Sequence, residues 1–217
     1  LGKNSAIRML FYGVSGTGKT EFARYLSDIL GKKILLKRAS DIFDKYVGGT
    51  ESNIAEAFAE AAEKDQILLF DEADSFFSDR NNAVRNWERT QVNEFLTQME
   101  EFPGILICTT NLKNIMDKAT LRRFHIIVEF NPLEKEGIKT LLQKFFPAYF
   151  SNAEIEKLSL SSLTSYNSVT PGDFGRLAGK IRFMDEEEIS SERIIQELCD
   201  MQEEKDSSKM CKIGFAV

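Results

Sequence analysis

Eight consecutive residues near the start of the chain, Gly13-Val14-Ser15-Gly16-Thr17-Gly18-Lys19-Thr20, form a complete phosphate-binding loop. The run matches G-x-x-x-x-G-K-[ST] at every fixed position and lies between an apolar strand pattern and a helix pattern. Glycines let backbone N–H groups close around phosphate oxygens, and the following helix N-terminus adds a favourable dipole. We expect Lys19 to reach the β- and γ-phosphates and Thr20 to ligate Mg²⁺. The alternative is a plain glycine-rich turn, which the complete motif disfavours.

A second acidic element follows the apolar residues Ile67 to Phe70. In Asp71-Glu72-Ala73-Asp74 the carboxylates emerge at the C-terminal end of a predicted buried strand, where ligands bind in open α/β sheets. We expect Asp71 to hold Mg²⁺ through water and Glu72 to polarise the attacking water. The alternative is that the carboxylates cap the next helix, which fits Asp74 better than Asp71.

The nucleotide that these two motifs predict is ATP. No Asn-Lys-x-Asp motif that reads guanine occurs in the chain. A small-molecule kinase would also carry the loop, but it would not usually need the adjacent Asp71-Glu72 pair. Together the motifs predict binding of ATP with Mg²⁺ and its hydrolysis to ADP and phosphate.

These residues need a sheet that brings several strand ends together. Residues 1–131 alternate short apolar runs with amphipathic helix patterns, which predicts an α/β fold, a five-stranded parallel P-loop sheet covered on both faces. Each run is almost continuously apolar, as in strands buried on both faces. The predicted strands are Arg8–Tyr12, Lys33–Lys37, Gln66–Phe70, Ile105–Thr109 and Ile126–Phe130. The predicted helices are Thr20–Leu30, Glu51–Lys64 and Trp87–Met99, with a short turn near Asp117.

The strand pattern stops after Asn131-Pro132, and residues 132–217 predict a small all-α domain. Polar residues from Glu203 to Lys209 predict a loose segment. The predicted helices of this part are Lys135–Phe146, Ala153–Leu158, Asp173–Met184 and Ser190–Met201.

Composition narrows the classes of partner and compartment. The formal net charge of −6 makes the chain a poor electrostatic partner for a phosphate backbone, so nucleic acid is disfavoured. Three widely spaced cysteines without a CxxC pair predict neither disulfides nor zinc, and they favour the reducing cytosol. No apolar run approaches the roughly 18 residues that span a bilayer. The chain begins at Leu1 without a signal-peptide pattern, so we expect a fragment of a longer cytoplasmic protein.

With these motifs the sequence resembles the AAA ATPases, hexameric remodelling motors, and is most similar to their severing and disassembly branch. The resemblance covers nearly the whole chain. It implies that residues 132–217 are a lid domain and that ATP binds between the two domains. Thr110-Asn111, after the fourth predicted strand, resembles the polar sensor that orients the attacking water. An asparagine at a strand end can also be a simple turn former.

Two adjacent arginines, Arg122 and Arg123, lie in a segment similar to the family's second region of homology. In the family such arginines reach across a subunit boundary onto the neighbour's γ-phosphate. Guanidinium stays charged and binds phosphate oxygens bidentately, and arginine fingers contribute about 10³–10⁵ in turnover. The resemblance implies a homo-oligomer, a hexamer in the family. The alternative is a solvated basic corner before a strand.

Lys45, Tyr46 and Val47 resemble the central-pore loop with which the family grips an extended polypeptide. The neighbouring glycines permit movement, and an aromatic ring offers sequence-tolerant contact. A surface loop with one exposed tyrosine is the alternative.

Near the C-terminus, Thr170-Pro171-Gly172-Asp173 is similar to the family's Ser-Gly-Ala-Asp turn beside the adenine, although Pro171 departs from the usual glycine. The resemblance places Gly172 at the nucleotide, where many wider AAA+ relatives have a sensing arginine. We expect Arg176 to be a helix-surface charge; the alternative is that it faces the phosphates, which would contradict the assignment to AAA proteins proper. His125 is the only histidine and lies at the start of a predicted strand. We therefore expect it to be a packed or edge residue and not a ligand.

The leading hypothesis is an ATP-driven, ring-forming remodeller of a polypeptide substrate. Glu72 and Asn111 position water, and a neighbour's Arg122 or Arg123 completes the site. The first rival is an AAA+ ATPase acting on nucleic acid, similar to clamp loaders or replication initiators. A second rival is a non-hydrolysing scaffold, against which Asp71, Glu72 and the arginines argue.

Overall fold

A five-stranded sheet organises the first part of the computed structural model, which describes residues 6–43, 48–76, 86–111, 118–151, 155, 163 and 167–210. Every strand pair is parallel, and the spatial order is β2-β3-β4-β1-β5. The strands are β1 (Ile7–Gly13), β2 (Ile34–Arg38), β3 (Ile67–Asp71), β4 (Ile105–Thr110) and β5 (Ile126–Phe130). The predicted five-stranded parallel sheet is confirmed.

Helices flank the sheet, as predicted. They are α1 (Lys19–Leu30), α2 (Ala39–Ile42), α3 (Gly49–Glu63), α4 (Asn86–Glu101) and α5 (Lys118–Leu121), with a 3₁₀ turn at Ala73–Phe76. One apolar cluster packs α3 and α4 against the sheet, and a second packs α1 against it. Because β1, β3 and β4 lie at the centre, their C-terminal ends are held side by side by this core.

Phenylalanine rings fill much of the cluster under α3 and α4. The ring of Phe70 on β3 lies 4.9 Å from that of Phe95 on α4, and Phe76 stacks on Phe95 at 5.0 Å. All three side chains are at most 1% exposed. Burying aromatic rings of this size is strongly favourable, so the polypeptide just before and after Asp71 and Glu72 is firmly anchored.

The expectation that every strand is buried on both faces is wrong for β2 and β5, the strands at the two edges of the sheet, none of whose residues is buried. Ile126 is 45% exposed and Ile127 is 42% exposed. The strand order explains the difference, since β5 is an edge strand that pairs with β1 on one side. An apolar run predicts a strand, but it does not predict where that strand lies in the sheet.

The residues after Phe130 group with residues 15–17 as a second compact unit, and the rest of the described chain forms the first. Its helices are α6 (Lys135–Phe145), α7 (Pro171–Ile181) and α8 (Ser191–Met210), with a 3₁₀ turn at Glu186–Glu188. Buried apolar side chains, among them Leu142, Phe174 and Leu198, form its core. None of the described helices is long and apolar enough to cross a membrane.

The structure bears differently on two predictions for this second unit. The segment from Glu203 to Lys209, expected to be loose, lies inside α8, because helix-forming residues continue the pattern and Lys205 binds Asp173 on α7. The helix predicted over residues 153–158 falls outside the described residues, apart from Ile155.

Candidate functional site

The phosphate-binding loop joins β1 to α1 through glycines with left-handed backbone. Gly18 has a φ of 94° and is the N-cap of α1, which no described side chain caps. The first N–H groups of the helix are therefore available to an anion. At Gly13, with φ 143°, an added Cβ would lie 2.1 Å from the Phe130 carbonyl oxygen, so only glycine fits this turn.

Lys19 is the charged centre of the site and is only 7% exposed. Its ammonium donates to the carbonyl oxygens of Gly13 at 2.8 Å and Val14 at 3.0 Å, and to Oδ1 of Asn111 at 2.8 Å. Burial lowers the pKa of Lys19 below its ordinary value, although the nearby carboxylates oppose this shift. The predicted lysine and the predicted sensor are thus in direct contact.

Thr20 and Asp71 form a second contact across the site. The Thr20 hydroxyl donates to Oδ1 of Asp71 at 2.8 Å. The same carboxylate oxygen accepts a hydrogen bond from the Thr109 hydroxyl on β4 at 2.6 Å. The two residues predicted to hold Mg²⁺ are therefore in direct contact, and Thr109, for which no role was predicted, binds the same oxygen of Asp71.

Glu72 follows β3 directly, and its side chain is exposed. Its φ of 57° lies in the left-handed region, which is uncommon for a residue with a Cβ. Its backbone N–H donates to Oγ1 of Thr109 at 3.0 Å. The side chain of Glu72, the predicted base, is therefore accessible to water, while the Glu72 backbone is hydrogen-bonded to β4.

The carboxylate of Asp74 contacts the end of β4 and the residue that follows it. Its Oδ1 accepts hydrogen bonds from the Thr110 hydroxyl and from the Asn111 N–H, the latter at 3.1 Å. This carboxylate therefore fixes the backbone of the predicted sensor. No contiguous motif signals this contact, because it depends on β3 and β4 being neighbours in the sheet.

These residues fit a nucleoside triphosphate with Mg²⁺. A buried ammonium and an uncapped helix N-terminus are suited to phosphate oxygens. The paired Thr20 hydroxyl and Asp71 carboxylate offer the hard oxygen atoms that Mg²⁺ prefers. The donor set thus agrees with the cofactors that the sequence predicts.

The two predicted arginine fingers lie in different environments. Arg122 is exposed, whereas Nε of Arg123 contacts Oε1 of Glu100 at 2.6 Å. Within the described part of the chain, no hydrogen bond or ion pair joins either arginine to Lys19, Asp71 or Asn111. The structure therefore does not bring them to the other predicted site residues of the same chain.

His125 lies near these arginines and is exposed, as expected for an edge residue. One guanidinium nitrogen of Arg8 is 2.9 Å from its Nε2. Arg8 also donates to the carbonyl oxygens of Met99 and Glu100 at the end of α4. These contacts link His125, just before β5, to Arg8 on β1, which agrees with a structural role for the histidine.

In the second unit, a buried carboxylate organises the turn at Thr170. Oδ2 of Asp173 accepts from the Thr170 N–H at 2.8 Å, the Lys205 ammonium at 2.6 Å and the Gln202 amide at 3.2 Å. Burial alone would raise the pKa of Asp173, but these hydrogen bonds outweigh it and lower the pKa.

Gly172 also belongs to this turn. Its N–H donates to the carbonyl of Gly16 at 2.9 Å, and residues 15–17 belong to the same unit. Arg176 is exposed on α7, as predicted. The predicted pore-loop residues Lys45, Tyr46 and Val47 lie outside the described residues.

Comparison with known protein families gives one match that covers more than half of the chain. Residues 9–132 match the sequence model described as "ATPase family associated with various cellular activities (AAA)". The matched segment contains the loop, both acidic motif residues, Asn111 and the two arginines.

Similar proteins agree with this match. The chain is 30% identical to Protein SAV of Sulfolobus acidocaldarius over 84% of its length and 25% of that protein. It is 37% identical to the 26S proteasome subunit RPT4 of Saccharomyces cerevisiae over 52% of its length and 28% of that protein. The chain thus spans about a quarter of the length of these curated relatives.

A solved structure supports the fold. A chain of the Escherichia coli MS115-1 HORMA:CdnC:Trip13 complex matches with a TM-score of 0.69 and 21% identity. The match covers 91% of this chain and 73% of that one.

Proposed function

This chain belongs to the AAA family of ATPases, and from that premise we propose that it binds ATP with Mg²⁺ and hydrolyses it to ADP and phosphate. The observation that supports this most is the pair of contacts Lys19–Asn111 and Thr20–Asp71, which gather the loop, the acidic strand end and the polar strand end. The sequence predicts that Lys19 binds phosphate, that Thr20 and Asp71 hold Mg²⁺, and that Asn111 orients water in the same reaction.

Each residue of this cluster has a defined task in the proposal. The loop N–H groups and Lys19 bind phosphate oxygens, while Thr20 and Asp71 hold the metal ion, which would neutralise charge on the phosphates. Glu72 takes a proton from the attacking water. Asn111, fixed by Asp74, orients that water. Since Lys19 already contacts Asn111, the phosphate-binding and water-positioning groups lie within reach of one substrate.

We further propose that the protein acts as a homo-oligomeric ring, a hexamer, whose neighbouring subunits complete each site. The exposed guanidinium of Arg122 is free to reach outward, whereas Arg123 is paired with Glu100. Arg122 is therefore the main finger in this proposal, and Arg123 fixes the segment that carries it. The finger would place a guanidinium group at the transferring phosphate. The described cluster of Lys19 and Asp71 does not supply such a group.

The proposed substrate is a polypeptide, gripped by Tyr46 with Lys45 and Val47. The acidic net charge of −6 supports this choice over nucleic acid. The relative that is named a proteasome subunit is consistent with a polypeptide substrate.

The division into a nucleotide-binding domain (1–131) and a lid (132–217) belongs to the same proposal. The cytosol is the proposed compartment, which the free, buried Cys108 and Cys199 support.

Phosphate release from the assembled protein tests this function. With Mg²⁺, ATP should be hydrolysed and GTP only slowly, and an unfolded polypeptide should raise the rate. Single-stranded DNA at physiological salt should leave the rate unchanged. Stimulation by DNA and none by polypeptide would instead favour the nucleic-acid class of AAA+ ATPase. ATP binding without any phosphate release would support the non-hydrolysing scaffold.

A further inference from the structure

One hydroxyl group, Oγ1 of Thr109, contacts both halves of the acidic motif. It donates to Oδ1 of Asp71 at 2.6 Å and accepts from the backbone N–H of Glu72 at 3.0 Å. A threonine hydroxyl has one proton to donate and lone pairs to accept, so both hydrogen bonds form at once. Thr109 is 1% exposed, so bulk water does not compete for either partner.

The contact with Glu72 supports an unusual backbone conformation. At φ 57° the residue is in the left-handed region, which is disfavoured when a Cβ is present. Such a conformation persists when surrounding contacts determine it. The bond from the Glu72 N–H to Thr109 is one such contact, and it sets the direction in which the exposed side chain leaves β3.

The contact with Asp71 fixes the metal-binding side of the site. The hydroxyls of Thr20 and Thr109 both donate to the same carboxylate oxygen, at 2.8 Å and 2.6 Å. Two donors on one oxygen restrict the rotation of the carboxylate group. Asp71 is thereby held facing Thr20.

Strand register explains why this threonine reaches both residues. Phe70 on β3 pairs with Cys108 on β4, so the following residues, Asp71 and Thr109, emerge side by side. The apolar side chains before them anchor both strands, because Phe70 and Cys108 are completely buried. Thr109 thus lies at the boundary between the sheet core and the site.

We infer that Thr109 is a positioning residue for the proposed hydrolysis, acting through Asp71 and Glu72. The inference rests on the proposed ATPase function. Thr109 touches neither phosphate nor water in this account. It aligns the proposed base and the proposed metal ligand with each other, and small misplacements of such groups are costly in rate.

The experiment compares phosphate release and nucleotide affinity of the assembled protein with those of Thr109→Val and Thr109→Ser. Valine keeps the branched shape and loses the hydroxyl, whereas serine keeps the hydroxyl. We expect Thr109→Val to lower kcat by about tenfold to about a hundredfold with KM for ATP changed less than about threefold. Thr109→Ser should recover most of that loss. Thr97→Val, which removes an exposed hydroxyl on α4 that bonds to Asn93, is the matched control.

A double-mutant cycle with Glu72→Gln separates positioning from general stability. If Thr109 acts through Glu72, then Thr109→Val should cost much less in the Glu72→Gln background than in the wild type. Unchanged kcat in Thr109→Val, equal losses in Val and Ser, or additive losses in the cycle would each overturn the inference. If Thr109→Val does not fold, the same cycle is run with Thr109→Ala under the same criteria. A wild-type protein without ATP hydrolysis would instead overturn the proposed function itself.

Discussion

The ammonium of Lys19 donates a 2.8 Å hydrogen bond to the amide oxygen of Asn111, linking the phosphate-binding loop to the end of β4. The two residues are far apart in sequence and meet because β1 and β4 are adjacent parallel strands. The proposed phosphate-binding group and the proposed water-orienting group are therefore held together by the pairing of these strands.

Removing the Asn111 amide should damage turnover more than affinity. We expect Asn111→Ala to lower kcat by about 10- to 100-fold, because the attacking water loses its orientation while the loop N–H groups and Lys19 remain. The measurement is steady-state phosphate release across ATP concentrations. Asn93→Ala, on the exposed surface of α4, should match the wild type. A raised KM with unchanged kcat would show that Asn111 binds substrate and does not position water.

Substitution of the two adjacent arginines should have different effects on turnover. Arg122→Ala should lower turnover of the assembled protein by about 10³-fold or more, the range of an arginine finger. Arg123→Ala should have the smaller effect on turnover and lower the free energy of unfolding by about 0.2–1 kcal/mol, because it removes a partly exposed ion pair with Glu100.

Subunit mixing tests whether the finger acts in trans. Subunits carrying Lys19→Ala, mixed with subunits carrying Arg122→Ala, should regain partial activity, since some sites receive an intact loop and a neighbour's intact arginine. Arg24→Ala, another exposed arginine on α1, is the control and should leave turnover unchanged. Mixtures that remain inactive, or a larger turnover loss for Arg123→Ala than for Arg122→Ala, would contradict the assignment.

Asp74 should hold the proposed sensor in place through its hydrogen bonds with the Thr110 hydroxyl and the Asn111 N–H. Asp74→Ala leaves the Thr110 hydroxyl and the Asn111 N–H without this acceptor, so we expect the free energy of unfolding to fall by about 1–3 kcal/mol. Turnover should fall as well, because Asn111 loses its fixed position. Urea unfolding and phosphate release measure the two effects, and Asp28→Ala on the exposed face of α1 is the control. Intact stability and turnover would show that Asp74 is dispensable.

Lowering the pH should reduce the stability of the second unit, because Asp173 becomes protonated. Its pKa is lowered in the folded chain, so the carboxylate contributes stability above its unfolded pKa of about 3.9, and this contribution disappears as pH falls through the folded value. Asp173→Asn should therefore cost about 1.5–3 kcal/mol at pH 7 and progressively less below about pH 4. Urea unfolding at several pH values measures the difference, with Asp185→Asn, an exposed aspartate, as the control. A cost independent of pH would exclude this linkage.

The sequence predicted most of the fold because apolar runs and amphipathic helices are local patterns. The bounds of all five strands were predicted within one residue, yet the exposure of Ile126 and Ile127 was missed, since strand order is a long-range property. Likewise, contiguous motifs identified Lys19 and Asp71. They could not identify Thr109, which meets Asp71 only through the register of β3 and β4.

The contact between Arg123 and Glu100 was missed for a related reason. It depends on how the end of α4 packs beside the segment before β5, and neither residue carries a local signal for that contact. Packing between distant elements thus decides which of the two neighbouring arginines forms an ion pair within the described residues.

The most direct test of the proposed hydrolysis is Glu72→Gln in the assembled protein, with ATP affinity and phosphate release measured on the same preparation. Glu63→Gln, at the exposed end of α3, is the matched control and should behave as the wild type. We predict that Glu72→Gln binds ATP as well as the wild type and releases phosphate at least about a hundredfold more slowly. Phosphate release at the wild-type rate would contradict the assignment of Glu72 as the base.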